Sequence, residues 1–256
     1  MMPEPATEEI PAVRLANITV RLGNRVVLED VTADVPAGVI TAVIGPNGAG
    51  KTTLLKAILG LVPYEGRVTF PGFKNRPSFG YVPQALGVDE GSPLTVMDFL
   101  LLKLQRRPLW LGRRRSARDE ARHQLGAMRA ENLADRPLGV LSGGERQRVL
   151  LAAALAGRNG GPDILLLDEP ASGIDAVGGE LFAALLAELT EERGLTTVLV
   201  SHDLSVVSAH ARRVVCLNRR LMGVGCASET ISAETIAAMY GRDSSLFLHD
   251  HHPKEG

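Results

Sequence analysis

From Val13 the chain alternates apolar and polar positions, with Val13 and Leu15, then Ile18, Val20 and Leu22, before Gly23-Asn24 and a second apolar run at Val26-Val27-Leu28. Period-two alternation on either side of a Gly-Asn pair predicts a short antiparallel hairpin with one solvated face. The pattern then changes. Val39-Ile40-Thr41-Ala42-Val43-Ile44 is a continuous, β-branched run that leads into a glycine-rich loop, and Thr52 to Leu61 has helical spacing. Two similar runs, Ile164 to Leu167 and Thr196 to Val200, end in Asp168-Glu169 and Ser201-His202-Asp203. Continuous apolar strands need cover on both faces, so these runs, separated by helical stretches, predict the buried, mainly parallel sheet of an α/β fold. Between Pro93 and Gly161 the strand signals vanish and Leu, Ala and Arg recur at helical spacing, which predicts a helical subdomain inserted between two core strands, about residues 93–161. Beyond Val214 the sequence predicts a final hairpin turning at Asn218-Arg219, a helix around Ala233 to Tyr240 and a polar tail.

Composition narrows the classes. The 256 residues carry 28 Lys and Arg against 29 Asp and Glu, a net charge of −1, which argues against a dedicated nucleic-acid binder. Charge is nevertheless uneven: Arg106 to Arg129 holds eight arginines against Asp119 and Glu120, which suits either a solvated helical face or a docking surface for an acidic partner or membrane headgroups. Cys216 and Cys226 lie outside any C-x-x-C or His-paired spacing, so reduced thiols rather than a disulfide or zinc site are expected. Residues 1–12 read as a disordered, acidic lead, without the basic start and apolar stretch of a secretory signal. No apolar run reaches the ~20 residues of a membrane span.

The chemistry concentrates at strand ends. Gly45-Pro46-Asn47-Gly48-Ala49-Gly50-Lys51-Thr52 matches G-x-x-x-x-G-K-[ST] at every fixed position and sits between an expected strand and an expected helix. Glycines there let backbone N–H groups wrap a phosphate chain, and the helix N-terminus adds the positive end of its dipole. Lys51 would reach the β- and γ-phosphates, and the Thr52 hydroxyl would hold Mg²⁺. Asp168, ending an apolar strand, supplies the carboxylate such a cation needs. Glu169, next to it and expected to point to the opposite side, is placed to polarise a water, and His202 to donate to the γ-phosphate. Leu141-Ser142-Gly143-Gly144-Glu145-Arg146-Gln147 reads as a capped helix start, a second anion site of different design. Two such sites in one chain make sense if two copies meet head-to-tail, each offering its Ser-Gly-Gly helix to the nucleotide on the other's loop.

With these motifs in this order, the chain resembles the ATP-binding-cassette (ABC) ATPases over nearly its whole length. The resemblance implies a P-loop NTPase core with an antiparallel N-terminal β subdomain and an inserted helical subdomain, over residues 13–245. It implies ATP and Mg²⁺ as cofactors, with Gly45 to Thr52 and the adjoining Thr53 on the phosphates and Gln84, in Tyr81-Val82-Pro83-Gln84, on the metal with Thr52 and Asp168. Ser142, Gly143, Gly144 and Glu145 become the signature that meets a nucleotide, Glu169 the catalytic glutamate, Ser172-Gly173-Ile174-Asp175 a variant of the family's D-loop, and His202 the switch histidine. One departure stands out: Leu22 fills the position where the family commonly stacks an aromatic residue on adenine, so binding should rest on the phosphates.

Within the family, Phe79 to Gln84, Pro93-Leu94-Thr95-Val96, Leu141 to Leu151, Val200 to Leu204 and above all Val215-Cys216-Leu217-Asn218-Arg219-Arg220 are similar to the ATPase subunits of zinc, manganese and iron(II) importers. That implies a homodimer working with a membrane permease and a metal-binding extracytoplasmic protein, peripheral on the inner face of the cell membrane. A soluble ABC ATPase that drives assembly, such as iron–sulfur cluster assembly, is the alternative; a P-loop kinase or GTPase would leave the signature segment without a use. His249-Asp250-His251-His252, in the polar tail 246–256, offers donors suited to zinc, and both a sensing role and a solvated tail fit it.

Overall fold

The computed structural model describes residues 10–84, 87, 89, 91–104, 115–157, 161–172, 174 and 176–240. The leading hairpin is longer than the alternation suggests: β1 (Pro11–Leu22) and β2 (Arg25–Pro36) turn at Gly23-Asn24, and β4 (Glu65–Thr69) adds antiparallel to the far side of β1. Pro11 and Ala12, expected in the disordered lead, belong to β1, because pairing with Pro36 buries Ala12 completely. The step from Leu15 to Ile18, which breaks strict alternation in the sequence, is a bulge in the register. Asn17 and Asp30 take positive φ there, and the Asn17 amide donates to Asp30 Oδ1 at 2.7 Å, so Val13, Leu15, Ile18 and Val20 all reach one buried face.

The larger sheet has the order β5-β6-β7-β3-β8-β9. Its strands β5 (Phe79–Val82), β6 (Ile164–Asp168), β7 (Thr196–Val200), β3 (Ile40–Ile44) and β8 (Arg213–Asn218) are parallel, and β9 (Arg220–Gly225) closes the edge antiparallel. Every residue of β3, β6 and β7 is buried, which is why those runs carry no polar alternation. Helices α1 (Lys51–Leu59), α5 (Ala176–Arg193), α6 (Leu204–His210), α7 (Ala227–Thr230) and α8 (Ala233–Tyr240) cover the sheet. Helices α2 (Val96–Leu104), α3 (Arg115–Ala127) and α4 (Gly143–Leu155) form the insert between β5 and β6. The mainly parallel core, the antiparallel β layer and the helical insert are the fold anticipated from the motifs. Cys216 is buried and Cys226 half-buried, and both are free thiols.

The insert does not build a core of its own. Leu100, Leu125, Met128, Leu133, Val149 and Leu151 pack in one cluster with Leu165 and Leu167 of β6 and with Phe182 and Leu186 of α5. Ile164 and Leu166 point the other way, into a cluster with Leu54, Leu55, Val198 and the buried face of the β1–β2 hairpin. Alternation along β6 therefore ties the insert and the P-loop helix to opposite faces of one strand. Two tethers reinforce the insert side. Lys103, at the end of α2, donates to the carbonyls of Ala153 and Ala154 at 2.6 and 2.9 Å, capping the C-terminus of α4 with a cation. Burial pulls its ammonium down to about 8. On β5, Gly80 lies so close to α4 that a Cβ would stand 2.7 Å from the Ala154 carbonyl oxygen and 2.9 Å from Leu165 Cδ1.

A backbone carbonyl at a helix end cannot step aside cheaply, so Gly80→Ala should destabilise the fold by about 1–3 kcal/mol, read as a fall in the urea unfolding midpoint. A midpoint equal to wild type would show that β5 and α4 are not held at contact distance.

Candidate functional site

The loop after β3 is shaped by what surrounds it. A Cβ at Gly45 would overlap the Leu217 carbonyl, and one at Gly50, where φ is +99°, would overlap the Leu28 side chain. Only glycine lets β3 leave the sheet against β8 and enter α1 beneath the β1–β2 hairpin. The outer side of the loop is pinned by the β8–β9 turn: the Arg219 N–H donates to the Ala49 carbonyl at 2.9 Å, and the Arg219 carbonyl accepts from the Glu29 N–H at 2.8 Å. An ion pair between Arg220 and Glu29 holds that turn to β2. Gly50 has no capping side chain, so the first-turn N–H groups of α1 are left for an anion.

Lys51 is nearly buried, donating to the Gly45 and Pro46 carbonyls at 2.9 and 3.1 Å, with its Nζ 3.5 Å from Glu169 Oε1. The Thr52 hydroxyl donates to Asp168 Oδ1 at 3.0 Å. Asp168 is 1% exposed, and burial first, then the neighbouring Glu169 charge, pushes its carboxyl up, partly offset by the Thr52 hydroxyl. A hydroxyl and a buried carboxylate in contact are a hard oxygen pair of the kind Mg²⁺ takes. Glu169 leaves the strand in the left-handed region, with φ +48°, its N–H donating to Val200 O at 3.1 Å. That backbone turn, rather than the strand alternation expected from sequence, separates its direction from that of Asp168 and brings its carboxylate back toward Lys51. Left-handed backbone at a non-glycine residue is costly and is kept only where the surroundings impose it.

Lys51, Thr52, Thr53, Gln84 and Glu169 line one cavity of about 360 Å³, with Asn47, Gly48, Gly50 and Val27 completing its wall. The Gln84 amide nitrogen donates to Glu169 Oε2 at 2.9 Å, so Gln84 meets the expected general base rather than the Thr52–Asp168 pair. His202 is two-thirds exposed, its Nδ1 4.0 Å from Glu169 Oε2. It lines a second cavity of about 660 Å³ with Gly45, Pro46, Asn47, Glu169, Asp203 and Tyr240. Asn47 and Glu169 thus border both spaces.

Ser142 to Glu145 line neither cavity. Ser142 caps α4 by accepting from the Glu145 N–H at 3.3 Å, while Glu145 Oε2 accepts from the Ser142 N–H at 2.9 Å and Oε1 from Arg136 at 2.8 Å. The Ser142 N–H, with help from Arg136, holds the Glu145 carboxyl below its ordinary range. Glu145 therefore faces its own helix start, and Gly144 borders a separate groove with Arg148, Ile174 and Phe182. Leu22 is 47% exposed at the hairpin tip. Gly173, Asp175, the arginines from 106 to 114 and the histidines from 249 to 252 lie outside the described residues, whereas Arg115, Arg122 and Arg129 are exposed on or just after α3. Among the described residues no helix is long and apolar enough to cross a membrane. The sequence reading missed Val27 and Arg219, which shape the loop only because β2 and the β8–β9 turn fold onto it.

Comparison with known proteins gives the family. Residues 28–172 match the family model described as ABC transporter. The chain is 39% identical over 244 residues to the zinc import ATP-binding protein ZnuC 1 of Hahella chejuensis, covering 94% of this chain and 88% of that one. It is 39% identical over 239 residues to the zinc import ATP-binding protein ZnuC of Cereibacter sphaeroides, covering 92% and 91%. Among solved structures, a putative metal-chelate type ABC transporter in an inward-facing conformation superposes with a TM-score of 0.78 at 26% identity, covering 90% of this chain and 88% of that one. A dimeric ATP-binding cassette bound to ADP and Pi superposes with a TM-score of 0.69 at 28% identity, covering 84% and 98%.

The buried Asp168 gives a test in the protein alone. Its folded carboxyl titrates above the ordinary range, so the ionised form costs stability above that raised value, and the cost fades as pH falls toward about 4, where the unfolded group also protonates. Asp168→Asn keeps an acceptor for Thr52 without the charge. In metal-free buffer at pH 7 it should melt higher than wild type, by roughly 2–4 °C per kcal/mol relieved, with the gap closing toward pH 4. A variant that melts lower at pH 7 would contradict the burial cost.

Proposed function

The chain belongs to the ABC transporter family of ATPases, and from that premise we propose that it is the ATP-hydrolysing subunit of a divalent-metal importer, with zinc as the metal moved. For hydrolysis the supporting observation is the convergence of Lys51, the Thr52–Asp168 pair and Glu169 around the uncapped start of α1. For zinc it is the similarity to zinc import ATP-binding proteins along 94% of the chain.

In this reading the N–H groups from Gly48 to Thr53 bind the phosphates of ATP, and Lys51 turns its Nζ from the Gly45 and Pro46 carbonyls to the β- and γ-phosphates. Thr52 and Asp168, with Gln84 beside them, would hold Mg²⁺, which neutralises phosphate charge when bound. Glu169 accepts a proton from the attacking water as that water's oxygen bonds to the γ-phosphorus. The bond to the β–γ bridging oxygen breaks, and ADP and phosphate leave. His202 donates to a γ-phosphate oxygen, and its reach from the adjoining cavity lets it report which nucleotide is present. Ser142 to Gly144 serve the second copy's nucleotide in a head-to-tail homodimer, with Glu145 positioning that helix start through its capping contacts. That Ser142 to Glu145 line neither cavity of their own chain supports this division. The dimer docks on a membrane permease at the inner face of the cell membrane, fed by a metal-binding extracytoplasmic protein, and residues 13–245 act as one cassette.

Two substitutions separate binding from chemistry. Glu169→Gln should retain ATP and lose nearly all hydrolysis, accumulating a nucleotide-bound dimer by size exclusion, whereas Lys51→Ala should lose nucleotide binding itself. Normal turnover by Glu169→Gln would remove Glu169 from the base role. Transport is tested by elemental content of cells lacking the chain, grown under mild chelation. A selective fall in zinc, restored by wild type but not by Glu169→Gln, is expected. A fall in manganese or iron alone would change the metal, and no change in any metal would overturn the importer reading.

A further inference from the structure

The β8–β9 turn is held more tightly than a surface hairpin requires. Asn218 pairs with Arg220 across it, which leaves Arg219 at the apex with φ +59°, left-handed backbone that a non-glycine residue keeps only where its surroundings impose it. Both main-chain groups of Arg219 are committed: its N–H donates to the Ala49 carbonyl at 2.9 Å, and its carbonyl accepts from the Glu29 N–H at 2.8 Å. On one side of the apex the Asn218 amide donates to the Met239 carbonyl of α8 at 2.9 Å. On the other, the Arg220 guanidinium grips both carboxylate oxygens of Glu29, with Nε 2.9 Å from Oε2. Side chains 65% and 46% exposed add little to global stability through such a pair. A bidentate fork nevertheless fixes direction as well as distance, and this one joins the antiparallel β layer to the edge of the main sheet.

The Ala49–Gly50 peptide is trans, so its carbonyl and its N–H point in opposite directions. With the carbonyl held by Arg219 on the outer side of the loop, the Gly50 N–H is turned to the inner side, where Gly50 lines the 360 Å³ cavity with Lys51 and Thr52. We infer that the Asn218-Arg219-Arg220 turn, clamped to β2 by the Glu29–Arg220 pair, is a positioning element for the phosphate loop: by holding the Ala49 carbonyl it aims the Gly50 N–H at the phosphates of ATP. This rests on the proposed ATPase site. A phosphate contact made alike before and during bond breaking acts on binding and leaves turnover at saturation unchanged. The bond from Asn218 to Met239 also gives the C-terminal helix α8 a hold on the turn that sets the loop.

Arg220→Glu sets two carboxylates against each other across the joint and leaves every main-chain donor in place. Its ATP affinity, measured in EDTA, should fall fivefold or more, its KM for ATP should rise in parallel, and kcat should stay within twofold of wild type. Adding Glu29→Arg, which restores the pair with its charges exchanged, should return the affinity to within twofold. Arg220→Gln removes the charge without adding repulsion, so it serves where the reversal unfolds the turn, and should lose twofold or more. Arg219→Gly keeps the N–H and accommodates the positive φ, and should bind ATP as wild type does. Smaller losses than these, a loss that Glu29→Arg does not restore, or a fall in kcat at unchanged KM, which a partly unfolded population gives, overturns the positioning role while the ATPase site stands. Weaker binding by Arg219→Gly would assign the contact to the guanidinium itself and overturn it as well. A wild-type protein that binds no ATP overturns the proposed site and this inference with it.

Discussion

The loop between β3 and α1 has to turn its backbone N–H groups outward while its carbonyl side packs against the rest of the molecule, and most of the architecture near the site serves that requirement. Gly45 passes under the Leu217 carbonyl, and Gly50 passes under Leu28. Lys51 collects the inward Gly45 and Pro46 carbonyls with its own ammonium, while Arg219 pins Ala49 from outside. A loop satisfied on one side only by its own lysine and a neighbouring turn leaves its other side available, which is the condition for binding a polyanion. Because the same Nζ also stands 3.5 Å from Glu169, the loop carbonyls and the expected base share one cation.

Strand β6 is the second organising element, since its alternation divides the molecule. Leu165 and Leu167 face the helical insert, and Ile164, Leu166 and Asp168 face α1. The insert and the carboxylate end of β6 are therefore joined through a packed strand rather than through a loop. The adjoining edge strand β5 repeats the arrangement, with Gly80 toward α4 and Gln84 reaching Glu169. The backbone of Glu169 is the point of tension in this layout, left-handed where the strand has just ended.

Similar solved structures include a dimeric cassette bound to ADP and Pi. Ser142 caps α4 and Glu145 closes the capping box, so two donors at that helix start are satisfied within the chain. Leu22 is exposed at the hairpin tip, an aliphatic side chain where the resemblance leads to the expectation of an aromatic one.

Much of this was legible in the sequence because it is local. The G-x-x-x-x-G-K-T spacing, the apolar runs ending in Asp168-Glu169 and His202, and the Ser142 cap are each set within a few residues, so composition and period reveal them. The bulge at Asn17 and Asp30 left a trace as the phase slip between Leu15 and Ile18. Strands β4 and β5 left little trace, both being short, β4 largely exposed and β5 half-buried, with Gly66 and Gly80 inside them. The direction of Glu169 was expected from strand alternation, but a left-handed residue decides it, and nothing in the side chain announces that. The hold of Arg219 on Ala49 and of Gln84 on Glu169 joins residues 170 and 85 positions apart. The sequence by itself determined which groups are the candidates for the chemistry and which strand end or helix start carries each. Only the tertiary structure decided how those groups meet, because the order of strands in a parallel sheet, and so which strand ends become neighbours, is set by packing across the whole chain.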